Sequence, residues 1–134
     1  MRKGGALVST QAESEVKVGY LLSDDLLFTS RITGTASALG LRVKAARSLD
    51  ALNALIAQEP PRCILIDLSL AGQSIFELAR RWQEAASPPP RIVGYGSHVD
   101  AAMLRAAREA GCDPVLPRSK FVEELPRALP DWMA

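Results

Sequence analysis

Three aspartates offer the most chemistry in this sequence: the adjacent pair Asp24 and Asp25, and Asp67, which interrupts the apolar run Cys-Ile-Leu-Ile-Asp-Leu at residues 63–68. A lone carboxylate in such a run is costly to bury without a partner. Carboxylates gathered in one place raise each other's pKa unless a cation sits among them, and hard oxygen ligands that leave water positions open suit Mg²⁺. A fold that brings Asp24, Asp25 and Asp67 together would therefore make a Mg²⁺-assisted phosphoryl acceptor. Each residue also has a plainer use. Asp24 or Asp25 can cap a following helix, satisfying free backbone N–H groups and the helix dipole, with the other left to face the pocket. Asp67 can be a strand-end residue that caps the next turn.

Other arrangements carry less. His98 is the only histidine, and adjacent Ser97 and His98 side chains diverge from one loop instead of pairing as nucleophile and base. The string Gly94-Tyr95-Gly96-Ser97-His98 is neither a Gly-x-Ser-x-Gly elbow nor a dinucleotide fingerprint, and no Walker A sequence is present. Cys63 and Cys112 lack CxxC or metal-ligand spacing, so no disulfide is expected. Trp82 reads as packing on an apolar helix stripe, and Trp132 lies in the tail. Arg42, Lys44, Arg47, Arg80 and Arg81 read as a solvated face.

The elements that must position the aspartates follow from periodicity and punctuation. Val16 to Leu22 is an apolar run of the length of a strand buried on both faces (β1). Leu27, Ile32, Ala36 and Leu39 then recur at helical spacing up to Gly40 (α1). Leu41 to Ala45 predicts a short strand (β2). Ser48 caps an amphipathic helix through Leu49, Leu52, Leu55 and Ile56 (α2), which Pro60 and Pro61 stop. Cys63 to Leu68 predicts a central parallel strand (β3). Ile75 to Ala85 predicts α3 with a stripe of Phe76, Leu78, Ala79 and Trp82, and Arg91 to Tyr95 predicts β4. Asp100 to Ala110 predicts α4, Pro114 to Leu116 a short edge strand (β5), and Phe121 to Leu129 an α5 shortened or kinked by Pro126. Strands alternating with helices require right-handed crossovers and a parallel, doubly wound α/β sheet. In such sheets the site lies beyond the carboxyl ends of the strands, which is where Asp24, Asp25 and Asp67 fall.

The 134 residues suit one domain, expected over 16–134 behind a flexible leader at 1–15. With 48% hydrophobic and 23% charged residues, disorder and fibrous repeats are excluded. A net charge of +1 gives no bulk pull toward nucleic acid or membrane. No apolar stretch approaches a spanning helix or a secretory signal, so a soluble, cytoplasmic protein is expected.

From residue 16 to 129 the chain resembles the receiver domains of response regulators. Asp24-Asp25 resembles the family's acidic pair, and residues 63–72, Cys-Ile-Leu-Ile-Asp-Leu-Ser-Leu-Ala-Gly, resemble its phosphoacceptor strand and loop. The resemblance implies a flavodoxin-like (βα)₅ sheet of order 2-1-3-4-5, with Asp67 as phosphoacceptor and Mg²⁺ held by Asp24, Asp25 and Asp67. It implies a non-enzymatic module of two-component phosphorelay signalling. Its partners would be a histidine kinase or phosphotransfer protein and a downstream protein target, with homodimerisation through α4-β5-α5. On that surface lie Met103, Arg105, Val115, Phe121 and Leu125. The phosphate-contact positions depart from the family. Gly96, with Ser97 next to it, stands where a hydroxyl residue ends β4; Arg118, with Lys120 two residues on, stands where the family has Lys; and Val115 replaces an aromatic. These departures resemble the pseudo-receiver branch, which signals through its surfaces without phosphorylation. A flavodoxin-like cofactor binder is the rival from another class, and the carboxylates after β1 would repel its phosphate.

Overall fold

A computed structural model describes residues 17–134. The expected leader and Val16 lie outside these residues. Five strands form one parallel sheet: β1 (Val18–Leu22), β2 (Arg42–Ala46), β3 (Cys63–Asp67), β4 (Arg91–Gly96) and β5 (Val115–Pro117), in the order β2-β1-β3-β4-β5. The doubly wound α/β expectation and the 2-1-3-4-5 order hold. The helices between and after the strands are α1 (Leu26–Ala38), α2 (Leu49–Gln58), α3 (Ile75–Glu84), α4 (Ala101–Glu109) and α5 (Arg118–Trp132), and one helical turn, Leu68–Ala71, follows β3 directly. Every residue of β1 and β3 is buried, as continuous apolar runs in a sheet covered on both faces should be.

Strand pleating sends alternate side chains to opposite faces and so builds two cores. Tyr20, Leu22, Ile64 and Ile66 pack with Leu52, Trp82 and Leu104 under α2, α3 and α4. Leu21, Cys63, Leu65, Val93 and Tyr95 pack with Ile32 and Ala36 of α1 and with Phe121, Leu125 and Leu129 of α5. Trp82 is packing as expected, and its Nε1 donates to Asn53 Oδ1 at 3.0 Å. Cys63 and Cys112 are buried free thiols, and burial pushes Cys63 up to about 12 and Cys112 up to about 11. Phe76 departs from its expected place: it is 50% exposed, and the stripe of α3 is Ile75, Leu78, Ala79 and Trp82.

The largest departure is α5. Expected over Phe121 to Leu129 and shortened or kinked by Pro126, it instead begins at Arg118 and runs through both Pro126 and Pro130 to Trp132. A proline in a helix interior costs about 3 kcal/mol. The offsetting term is the buried row Phe121, Leu125, Leu129 and Trp132, which must stay on one helical face to cover the sheet. Trp132 is thus core, stacked 5.8 Å from the Phe121 ring centroid. The end of the chain is seated equally closely, since a Cβ on Gly19 would lie 2.7 Å from Met133 Sδ.

Phe121 opens this row, 4.5 Å from Tyr95 and 6.2 Å from Phe28 between ring centroids. Phe121→Ala is expected to destabilise the protein by about 3–5 kcal/mol in urea unfolding. A loss under about 1 kcal/mol would show that the row does not hold α5.

Candidate functional site

The site is built where β1, β3, β4 and β5 end together. Leu22 pairs with Ile66, Asp67 with Tyr95, and Tyr95 with Leu116. The next lateral neighbour of Asp67 on the β1 side is therefore Ser23, which is fully buried and donates from its N to Ala46 O at 3.0 Å. By pleat alternation Ser23, Asp67 and Tyr95 share the face covered by α1 and α5.

Asp67 is 3% exposed. Its Oδ1 accepts from Ser69 N at 3.0 Å and from Ser69 Oγ at 2.7 Å, capping the helical turn that follows β3. That turn comes close because Gly94 leaves room: a Cβ there would meet Leu68 at 3.1 Å. Asp67 Oδ2 faces Arg118 Nη2 at 3.4 Å, while Arg118 Nη1 lies 3.6 Å from Asp25 Oδ2. Asp25 is the N-cap of α1, its Oδ1 accepting from Phe28 N at 2.9 Å. The Arg118 guanidinium also lies over two rings, 4.9 Å from the Phe28 centroid and 5.8 Å from that of Tyr95. Two carboxylates and two aromatic faces thus surround one cation, delivered by the junction of β5 and α5.

The aspartates of the expected metal group are divided in this arrangement. Asp24 is exposed and makes no ion pair among the described residues. No three His, Cys, Asp or Glu side chains are grouped as metal ligands among the described residues. The register explains why: it sets Ser23, not an acid, beside Asp67, turns Asp25 to cap α1, and lets Arg118 supply the positive charge that Mg²⁺ was expected to bring. The donor set does not fit a metal held by Asp24, Asp25 and Asp67.

The other expected site residues divide. Arg118 contacts Asp67, but Lys120 is turned along α5, its Nζ 3.1 Å from Glu123 and 3.6 Å from Glu124. Ser97 is exposed and its Oγ accepts from Val99 N at 3.3 Å. A cavity of about 230 Å³ opens between Asp67, Ser69, Gly96, Ser97 and Arg118. Gly96 offers it no hydroxyl, although a Cβ there would make only ordinary contact, 3.5 Å from Leu104. On the expected partner surface, Arg105 is exposed and Met103 half-buried. Val115, Phe121 and Leu125 are core residues at 4%, 0% and 1% exposure and cannot be contact surface: α5 turns Phe121 and Leu125 onto one face of the sheet, and β5 turns Val115 into the core on the other.

Ser69, Ser23, Phe28 and Tyr95 were not singled out from sequence as site residues. A hydroxyl two positions after a strand-end aspartate was the available signal for Ser69. Tyr95 gave none, since its placement depends on the β3–β4 register. Its hydroxyl is the one buried side-chain polar atom without a hydrogen bond among the described residues. Burial, and after it the charge of Asp67, raises its pKa; Ser23 opposes that rise without completing a hydrogen bond.

No protein-family model matches the sequence, and no curated protein matches it. Solved structures do match. A response regulator from Thermotoga maritima superposes with a TM-score of 0.75 at 13% identity, covering 88% of this chain and 98% of that one. A response-regulator signal receiver domain from Bermanella marisrubri gives 0.75 at 19% identity, covering 90% and 100%. A LuxR family DNA-binding response regulator from Silicibacter pomeroyi gives 0.66 at 22% identity, covering 87% and 91%. The fold is that of response-regulator receiver domains. Among the described residues no helix is long and apolar enough to cross a membrane.

Because the Tyr95 hydroxyl is buried without a partner, Tyr95→Phe is expected to be neutral or to stabilise the protein by up to about 1 kcal/mol in chemical denaturation. A loss above about 1 kcal/mol would mean that the hydroxyl is bonded.

Proposed function

We propose that this chain is a receiver-like signalling module that acts through protein contacts, and that its Asp67 serves as a fixed anion and not as a phosphoryl acceptor. The observation that carries this reading is Arg118 bridging Asp67 and Asp25. Phosphoryl transfer to a carboxylate needs a free oxygen and a cation that offsets the charge of the incoming group. Here Oδ1 is engaged twice by Ser69 and Oδ2 faces a guanidinium. The charge balance that a divalent ion would bring is already supplied by a side chain.

Contact with another protein is supported by apolar side chains left in water at the start of α1 and in the loop that follows β4. Leu26 is 64% exposed, Leu27 86% and Val99 78%. Large aliphatic side chains clustered in solvent mark interaction surfaces. The partner classes implied by the receiver fold are a kinase or phosphotransfer protein on this surface and a downstream protein target. A second copy of the chain is a further candidate, through exposed parts of α4 such as Arg105.

A specific observation favours a second reading, a working phosphoacceptor: the cavity over Asp67 is open and includes Ser97 and Arg118, both able to donate to phosphoryl oxygens. Intact mass after incubation with a small phosphodonor and Mg²⁺ separates the two. The wild-type protein is expected to gain no stoichiometric phosphate, matching Asp67→Asn. An adduct on wild type that is lost in Asp67→Asn would overturn the fixed-anion reading and establish the acceptor.

A further inference from the structure

Arg118 also lines a second, larger cavity of about 620 Å³. Three separate elements build it. Phe28 and Arg31 come from α1, Ser97 and His98 from the loop between β4 and α4, and Arg118, Ser119 and Val122 from α5. The polar lining consists of two guanidiniums, one imidazole and two hydroxyls, with no carboxylate among the lining residues. Arg31 makes no ion pair among the described residues. The first turn of α5, which supplies Arg118 and Ser119 to the lining, has no side-chain cap, since its N-cap is Pro117. Its free N–H groups and dipole add to the positive potential. Phe28 and Val122 supply apolar wall.

We propose that this cavity binds a small organic oxyanion, its charged head on Arg31, Arg118 and Ser119 and its apolar body against Phe28 and Val122. Guanidiniums paired with hydroxyls suit carboxylate or phosphate oxygens. The size is that of a small-molecule site and exceeds what a lone inorganic ion would fill. The proposal goes beyond the signalling reading and holds whether or not Asp67 accepts a phosphoryl group.

The site is wired to Asp67 through one side chain. Arg118 reaches its two carboxylates at 3.4 and 3.6 Å, long contacts that leave other donors of its five N–H groups free. An oxyanion in the cavity competes with Asp67 for the same guanidinium. Coupling of this kind is reciprocal, so removing the charge of Asp67 must tighten the oxyanion.

The test is a titration of the isotope-labelled full chain with phenylphosphonate, followed by backbone NMR, with inorganic phosphate and benzoate as parallel arms. Phenylphosphonate is expected to give saturable shifts at Phe28, Arg31, Ser97, His98 and Ser119, with a Kd at least about tenfold below that of inorganic phosphate, reflecting apolar burial. Benzoate compared with phenylphosphonate reads whether the head group is carboxylate or phosphoryl. Arg31→Ala, an exposed substitution that leaves the core intact, is expected to weaken binding about tenfold or more. Asp67→Asn, with folding confirmed by circular dichroism, is expected to strengthen it by roughly threefold or more, since one of the two anions competing for Arg118 is gone. Non-saturating shifts spread over the basic surface, or equal affinity for inorganic phosphate, would overturn the site. Unchanged affinity in Asp67→Asn would overturn its link to Arg118. The titration uses no phosphodonor, so its failure is distinct from a phosphate adduct appearing at Asp67.

Discussion

A carboxylate buried at the end of the central strand is the constraint around which this molecule is arranged. Asp67 is nearly without solvent, and an unpaired charge in that position would be prohibitively costly. Its neighbours are those that answer this need. Ser69 reaches back from a helical turn that Gly94 allows to approach, and Arg118 reaches in from the first residue of α5. Because Arg118 also meets Asp25 and lies on Phe28, the same cation fixes the start of α1 relative to the start of α5. Balancing one anion thereby sets the geometry of a whole face.

How far this could be read from sequence depended on the length scale of the signal. The strands declared themselves because continuous apolar runs bounded by Gly and Pro have few alternatives in a chain of this size, and Asp67 declared itself as the single charge in the most apolar run. The aspect that failed is finer than any such pattern. Whether Ser23 or Asp24 stands beside Asp67 is a matter of one residue of register in β1, and that one residue separates a ligand cluster from an ion pair with a hydroxyl neighbour.

Lys120 shows a similar limit, because a residue three positions past a strand end points wherever the helix turns it, here to Glu123. Pro126 misled in the opposite direction. Local chemistry argued for a shortened or kinked helix, but the buried row from Phe121 to Trp132 covers the sheet as one helix, and tertiary packing outweighed propensity. The expected contact residues Phe121 and Leu125 became core for the same reason, since apolar residues on an amphipathic helix are claimed first by the sheet beneath it, and Val115 became core as a strand residue facing the opposite layer of helices.

The two prolines of α5 also bear on mechanics. The helix is anchored at one pole by Arg118 among the carboxylates and at the other by Trp132 and Met133 against the base of β1. A helix of this length spans about 20 Å, from one end of the sheet to the other. Pro126 and Pro130 each delete a backbone hydrogen bond from its middle and last turns. α5 is therefore a strut clamped at both ends and softened between them. What keeps it one helix is the buried row beneath it, so the two ends of the sheet are tied together by side-chain packing more than by an unbroken ladder of backbone hydrogen bonds.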